Sequence, residues 1–214
     1  MTTLNARGFL FDMDGTLVDS APVVENIWIN FCAHNGLNAK EVIAYAHGRQ
    51  VLDTLSHFIG AGEAAVKAAE AIEQIEIRTS EGVTAITGAA EFLARLPAGR
   101  VALVTSAGRE LAESRMRAAG IPLPAVTVCA EDVVNGKPDP ECYLKAASML
   151  GVSISECLVF EDAAAGIRAG LASGARVIAV NPSAAGATEA HVVSEVKNLL
   201  VDAEKDSVRI TVND

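Results

Sequence analysis

Five short, almost wholly apolar runs constrain the fold of this chain more than any other feature of its sequence. They cover residues 8–11 (GFLF), 101–104 (VALV), 126–129 (VTVC), 157–160 (CLVF) and 176–180 (RVIAV). Uninterrupted apolar runs of this length are typical of strands that are buried on both faces of a parallel sheet. From residue 101 onward the runs alternate with helical segments, which predicts an α/β fold with a parallel sheet flanked by helices.

The segment between the first and second runs is different in character. It shows helical periodicity, with Val24, Ile27, Trp28 and Phe31 at positions i, i+3, i+4 and i+7, and it contains the alanine-rich stretch EAAVKAAEAIEQIEI. We therefore predict an all-helical insertion over residues 19–82, in which Trp28 is packed. Residues 1–18 and 83–214 are predicted to form the core domain, and residues 199–214 to contain a terminal hairpin.

Composition excludes several classes of partner. The 214 residues carry a formal net charge of −10, whereas nucleic acids and anionic membranes bind basic surfaces. The N-terminus does not resemble a signal peptide, and no apolar stretch approaches the length needed to span a membrane. The cysteines show no C-x-x-C pair, so we expect reduced thiols and a cytoplasmic location. We also expect a monomer, because no exposed apolar seam requires a partner.

Polar side chains follow four of the five runs, and ligands bind beyond the carboxyl ends of the strands in an open parallel sheet. Carboxylates from two separate strands favour a hard divalent cation, above all Mg²⁺. The lysine and the hydroxyls favour a bound anion. In chain order these residues are Asp12, Asp14, Thr105, Ser106, Lys137, Glu161 and Asp162.

Each of these motifs has an ordinary explanation when it is taken alone. The Asp12-x-Asp14-Gly15 string is also found in acidic surface turns. A calcium-binding loop that began at Asp12 would need glycine and an acid where Leu17 and Val23 stand. Strand-end hydroxyls, a loop lysine and acids at a helix N-terminus are equally common features. The functional interpretation therefore depends on the combination of motifs. A separate Gly60-x-Gly62 string follows no strand and is interpreted as a connection between helices.

The strings DMDGT, LVTSA, GKPDP and VFEDAAAG resemble the four motifs of the haloacid dehalogenase-like superfamily, in order and in spacing. The helical insertion after the first motif resembles the small helical cap of that superfamily. The pattern His47, Gly48, Arg49 and Asp53 is similar to a group of sugar- and polyol-phosphate phosphatases. This group includes bacterial hexitol phosphatases and the yeast 2-deoxyglucose-6-phosphate and glycerol-phosphate phosphatases.

The resemblance implies a role for each residue of the motifs. Asp12 would be the nucleophile that forms an aspartyl-phosphate, and Asp14 would be the general acid and base. Mg²⁺ would be bound by Asp12, the backbone carbonyl of Asp14, Asp162 and Glu161, the last directly or through water. Thr105, Ser106 and Lys137 would bind the phosphoryl group. In the cap, His47, Arg49 and Gln50 are candidates for contact with the rest of the substrate, although a structural loop explains them equally well.

These observations predict a Mg²⁺-dependent phosphatase for small sugar phosphates or sugar-alcohol phosphates. Two alternatives are open: a phosphosugar mutase of the β-phosphoglucomutase type, and a non-catalytic metabolite-binding regulator. The mutases carry a cap histidine where this chain has Val24, which disfavours the first alternative. A pure binding protein would have little need for a proton donor at Asp14, which disfavours the second.

Overall fold

A parallel sheet of six strands organises the computed structural model, which describes residues 2–180, 191–193, 199–203 and 208–212. Its strands are β2 (Gly8–Phe11), β5 (Val101–Val104), β6 (Val126–Val128), β7 (Cys157–Glu161), β8 (Arg176–Ala179) and β9 (His191–Val192). Their order in the sheet is β6-β5-β2-β7-β8-β9, and all neighbouring pairs are parallel. The predicted α/β class is therefore confirmed.

The predicted strand positions are accurate to within one residue. The runs at 8–11 and 101–104 form strands with those bounds. The strand predicted at 126–129 ends at Val128, the one predicted at 157–160 continues to Glu161, and the one predicted at 176–180 ends at Ala179. The central strands are fully buried because helices cover both faces of the sheet. The covering helices are α5 (Ala89–Ala94), α6 (Arg109–Ala118), α7 (Glu141–Leu150) and α8 (Ala164–Ser173).

Four helices form the insertion between β2 and β5. They are α1 (Ala21–Asn35), α2 (Ala39–Ala46), α3 (Val51–Ile59) and α4 (Glu63–Arg78). They share a hydrophobic cluster of their own, in which Trp28 is 2% exposed, as predicted. The Gly60-x-Gly62 string joins α3 to α4, also as predicted. The two connections to the sheet pair with each other through β3 (Val18–Asp19) and β4 (Thr84–Ala85).

A second, antiparallel sheet contains the terminal segments. The predicted hairpin is present as β10 (Leu199–Ala203) and β11 (Val208–Val212). The sequence analysis missed β1 (Thr2–Ala6), which pairs with β11. Its polar sequence TTLNA carries little strand signal by itself. The four cysteines are free and buried, as expected. Among the described helices, none is long and apolar enough to cross a membrane.

Candidate active site

Asp12 lies at the carboxyl end of the central strand β2 and is in contact with Lys137. Lys137 Nζ is 2.6 Å from Asp12 Oδ1, 2.7 Å from Glu161 Oε1 and 3.0 Å from the carbonyl oxygen of Val104. Lys137 is 1% exposed and Asp12 is 6% exposed. The parallel sheet therefore brings the residues predicted from three separate motifs into direct contact.

Burial dominates the electrostatics of this group. Burial, together with the nearby charge of Glu161, raises the pKa of Asp12 well above its usual value, and Lys137 offsets only part of this effect. Burial alone would lower the pKa of Lys137. The carboxylates of Asp12 and Glu161 reverse that effect and leave the pKa of Lys137 well above its usual value. Lys137 is therefore a permanent cation at neutral pH in a site that is otherwise acidic.

The carboxylate of Glu161 accepts four hydrogen bonds from the protein. Lys137 and Tyr143 donate to Oε1 at 2.7 and 2.8 Å, and the backbone amides of Asp162 and Ala163 each donate to Oε2 at 3.1 Å. The sequence analysis did not identify Tyr143. These four hydrogen bonds hold Glu161 in place between Lys137 and the backbone at the start of α8.

Three carboxylates form a group that fits a hard divalent cation. One oxygen from each of Asp12, Glu161 and Asp162 lies within 4.8 Å of the others, and all three residues are buried. Asp162 Oδ1 is buried and has no hydrogen-bond partner among the described residues, whereas its Oδ2 lies 2.9 Å from His47 Nε2. Burial raises the pKa of Asp162, and the repulsion of Glu161 adds to this effect. A bound cation would satisfy the unpaired oxygen and offset the repulsion, so the residues fit the predicted Mg²⁺.

The side chain of Asp14 points to a different set of partners. Ser20 donates to Oδ1 at 2.6 Å, and Arg115 Nη1 donates to Oδ2 at 2.8 Å. Arg115 also reaches Glu76 of α4, with Nη2 3.1 Å from Oε1. Both carboxylate oxygens of Asp14 therefore have partners outside the group of Asp12, Glu161 and Asp162, and the resemblance assigns only its backbone carbonyl to the cation.

The turn after Asp14 depends on glycine. Gly15 has a φ of +80°, and a Cβ atom at this position would lie 1.9 Å from Asp162 Oδ2. Both the left-handed backbone and the close approach exclude a larger residue. The turn is closed by the amide of Gly15, which donates to the carbonyl oxygen of Val18 at 2.8 Å. Gly15 thus lets the chain leave β2 while Asp12 and Asp162 remain adjacent.

The two predicted phosphate-binding hydroxyls lie at the end of β5. Thr105 is buried, and its Oγ1 accepts a hydrogen bond from the amide of Ala107 at 3.0 Å. Ser106 donates to the carbonyl oxygen of Gly48 in the insertion at 3.1 Å. Both residues are at the edge of the sheet where Asp12 and Lys137 lie.

The loop between α2 and α3 brings the insertion onto the site. His47 contacts Asp162, and the hydrogen bond between them raises the pKa of His47. Gln50 donates to the carbonyl oxygen of Ala130 at 3.4 Å. The Arg49 guanidinium lies over the Tyr45 ring, 4.5 Å from its centroid, within the insertion itself. Of the three residues predicted here, His47 therefore reaches the acidic group, Gln50 reaches a loop of the sheet domain, and Arg49 packs on its own helices.

The sequence analysis also did not identify Arg115, Glu76 and Ser20. The helical periodicity could have indicated the first two of these residues. Arg115 follows Leu111 and Ala112 by four and three positions and precedes Met116, so it occupies the buried face of α6. Glu76 follows the buried Ile72 by four positions on α4. A charged residue on the apolar face of a helix requires a partner, and these two residues are partners of each other.

Comparison with known proteins agrees with this geometry. A family model described as haloacid dehalogenase-like hydrolase matches residues 6–174. The chain belongs to this family. The matched range contains all of the motif residues described above, and it also contains the helical insertion.

Several curated relatives are phosphatases. The chain is 46% identical to hexitol phosphatase A of Escherichia coli (strain K12), over 85% of this chain and 86% of the relative. It is 35% identical to glycerol-1-phosphate phosphohydrolase 2 of Saccharomyces cerevisiae, over 83% and 76% of the two chains. It is 31% identical to 2-deoxyglucose-6-phosphate phosphatase 1 of the same yeast, over 86% and 83%. The predicted similarity to this group is confirmed.

The fold also matches solved structures. A hydrolase from Pseudomonas syringae superposes with a TM-score of 0.73 at 28% identity, over 81% of this chain and 83% of that chain. The fold of this chain is therefore shared with a solved hydrolase structure, in agreement with the family match.

Proposed function

We propose that this protein is a Mg²⁺-dependent phosphatase that hydrolyses small sugar phosphates or sugar-alcohol phosphates through an aspartyl-phosphate on Asp12. One observation carries the proposal: two carboxylates two residues apart have different environments. Asp12 is buried and hydrogen-bonded to Lys137, whereas the Asp14 side chain is 32% exposed and is held by Arg115 and Ser20. Such a pair suits a division between nucleophile and proton carrier.

In the proposed first step, Asp12 attacks phosphorus and the alkoxide leaves. Lys137 holds Oδ1 of Asp12, so Oδ2 is the oxygen that we assign to the attack. Asp14 would donate a proton to the departing oxygen, which is a poor leaving group when it belongs to a sugar or polyol. Thr105 and Ser106 would donate hydrogen bonds to the phosphoryl oxygens, and Lys137 would stabilise the negative charge that develops on them.

In the second step, water hydrolyses the aspartyl-phosphate. Asp14, now a carboxylate, would accept the proton of the attacking water, so the same side chain acts as acid and then as base. Mg²⁺, held by Asp12, Asp162 and the backbone carbonyl of Asp14, with Glu161 binding directly or through water, would supply Lewis-acid stabilisation of the phosphoryl oxygens. Since the oxygens of Glu161 already accept four hydrogen bonds, we propose that its main contribution is to hold Lys137 and the backbone amides of Asp162 and Ala163 in place.

We propose that the helical insertion takes part in substrate selection. We propose that residues 19–82 form a cap over a core made by residues 1–18 and 83–214, since His47, Gly48 and Gln50 already contact the core. The proposed substrate class is based on the relatives, whose names describe phosphatases for hexitol, glycerol and deoxyglucose phosphates. We also propose that the protein is cytoplasmic, in keeping with its free thiols, and that it is a monomer.

A mutase remains the less favoured alternative. In the mutases that the chain resembles, a cap histidine occupies the position of Val24. Here Val24 packs against the hydrophobic cluster of the insertion. An apolar side chain cannot exchange protons with a substrate hydroxyl or with water, so transfer of the phosphoryl group back to a sugar has no support at this position.

A phosphate-release screen tests the proposal. Phosphorylated hexoses, hexitols, pentoses, glycerol and nucleotides are assayed with Mg²⁺ and with chelator, together with the Asp12→Asn variant. We expect release from sugar or polyol phosphates with Mg²⁺, and a loss of more than about a thousandfold with Asp12→Asn. Activity that persists in chelator would refute the role of the cation, and interconversion of sugar phosphates without phosphate release would favour the mutase.

A further inference from the structure

A buried arginine connects the helical insertion to Asp14. Arg115 on α6 donates from Nη1 to Asp14 Oδ2 at 2.8 Å and pairs through Nη2 with Glu76 Oε1 at 3.1 Å. Arg115 is 6% exposed and Glu76 is 5% exposed. The guanidinium is planar and its donors point in fixed directions. Its two bonds therefore set the position of the Asp14 carboxylate relative to helix α4.

Docking of the insertion does not by itself explain this arrangement. Within the part of the chain that the structure describes, helix α4 has two other polar contacts with the core: Glu73 accepts from the amide of Gly108 at 3.0 Å, and Ser114 donates to the carbonyl oxygen of Ile77 at 3.3 Å. Neither of these contacts includes Asp14. Burying the charges of Arg115 and Glu76 is also a costly way to join two helices, because each group loses its hydration. The feature that distinguishes Arg115 from the other contacts is its bond to Asp14.

We propose that Arg115 is a positioning residue for Asp14, and that Glu76 makes this position depend on the docking of α4. When α4 moves away from the core, Glu76 leaves Arg115 and the guanidinium loses one of its two anchors. Asp14 is then held in place for proton transfer only while the insertion is closed. This inference rests on the proposed function, because it assigns Arg115 to the proton-transfer step of that reaction.

The leaving group of the substrate provides a sharp test. An alkoxide from a polyol phosphate needs a proton when it departs, whereas p-nitrophenolate departs without one. The values of kcat/KM for sorbitol 6-phosphate and p-nitrophenyl phosphate report the steps up to and including the release of the alcohol or phenolate leaving group. We expect Arg115→Met to lower kcat/KM for sorbitol 6-phosphate on the order of 10- to 100-fold, and for p-nitrophenyl phosphate by less than about threefold.

Matched variants distinguish a positioning role of Arg115 from a general effect on the packing of α4 against the core. Glu76→Leu should reproduce the selective loss, and Glu76→Gln, which keeps an acceptor for Arg115, should restore most of the activity. Glu73→Gln is the control, because it weakens another contact between α4 and the core and should leave the ratio of the two kcat/KM values unchanged. In an Asp14→Asn background, Arg115→Met should cause no further selective loss.

Folding is checked by the thermal unfolding of every variant. If Arg115→Met does not fold, Arg115→Lys takes its place, since lysine keeps the charge but loses the planar pair of donors. Equal losses on both substrates, or the same selective loss in Glu73→Gln, would overturn the positioning role alone. Failure of the unsubstituted protein to hydrolyse either ester with Mg²⁺ would overturn the proposed function, and this inference with it.

Discussion

Lys137 Nζ lies 2.6 Å from Asp12 Oδ1, and both side chains are almost completely withdrawn from solvent. The same ammonium group lies 2.7 Å from Glu161. A single buried cation thus pairs directly with two buried carboxylates, and removing it would take away the direct ion-pair partner that both have among the described residues.

We therefore expect Lys137→Met to lower the free energy of unfolding by about 3–5 kcal/mol at pH 7 and to abolish phosphate release. Urea unfolding in the presence of chelator measures the first effect. Lys145→Met is the control, because Lys145 is a partly exposed lysine on α7, outside the acidic group. Equal stabilities of the two variants would show that Lys137 contributes little to the fold.

Gly166 on α8 provides a second prediction. A Cβ atom at this position would lie 1.6 Å from Glu161 Oε1, so Gly166→Ala must displace a carboxylate that accepts four hydrogen bonds. Alanine normally stabilises a helix by about 1 kcal/mol relative to glycine. We expect the opposite sign here, a loss of about 1–3 kcal/mol, together with reduced activity.

The control for this experiment is Gly99→Ala, whose added methyl group would meet no described atom within 4 Å apart from those of its chain neighbours. Thermal unfolding of both variants gives the comparison. An increase in stability on Gly166→Ala would mean that Glu161 can leave its position at little cost.

Mg²⁺ should stabilise the fold through the three clustered carboxylates. At a free concentration one hundred times the dissociation constant, a ligand specific for the folded state adds about 2.7 kcal/mol. Because the pKa of Asp12 and the pKa of Asp162 are both raised, protons compete with the cation, and the stabilisation should shrink as the pH is lowered.

This stabilisation is measured as the shift in melting temperature between Mg²⁺ and chelator at each pH. Asp162→Asn should remove most of the shift, and Asp202→Asn on β10 is the control for loss of one negative charge. A shift that is the same in Asp162→Asn and in the control would argue against the cation site.

Glu76 makes a specific prediction for the pH dependence of stability. Burial raises the pKa of Glu76 from 4.5 to about 7, against the opposing charge of Arg115. Because the pKa of Glu76 is higher in the folded state than in the unfolded state, its contribution to the free energy of unfolding is fully present below pH 4.5 and is lost as the pH rises through 7. The contribution that is lost is on the order of 3 kcal/mol, since each unit of difference between the two pKa values corresponds to about 1.4 kcal/mol.

The Glu76→Gln variant lacks this titration, so its stability relative to the unsubstituted protein should rise as the pH increases from 5 to 8. Chemical unfolding at several pH values measures the difference. Glu63→Gln, at an exposed position in the first turn of the same helix, is the control for loss of a negative charge. A pH-independent difference for Glu76→Gln would contradict the prediction.

The sequence predicted the sheet and its acidic edge because both depend on local patterns. Fully buried parallel strands require uninterrupted apolar runs, and the polar residues that follow them must converge when the strands align. The structure brings Asp12, Lys137 and Glu161 into contact at that edge, whereas their catalytic roles remain predictions. The helical insertion was visible for a similar reason, since its periodicity differs from that of the strands.

Other features have no local signal. The strand β1 forms because β11 is available to pair with it, at a separation of about two hundred residues. The contact of His47 with Asp162, and the position of Arg49 over Tyr45 rather than at the acidic group, depend on how the loop after α2 meets the core. Sequence alone could not choose between these two outcomes, because both residues are polar and lie in the same short segment.

The amino-acid sequence by itself determined the α/β class, the helical insertion and the set of polar and charged side chains near the carboxyl end of β2. Only the tertiary structure decided which partners each charged group would have. A buried charge must find a counter-charge, but the partners of Asp14 come from α6 and the turn before α1, and Arg115 takes its second partner from α4. Such a choice depends on packing between elements that are distant in the chain.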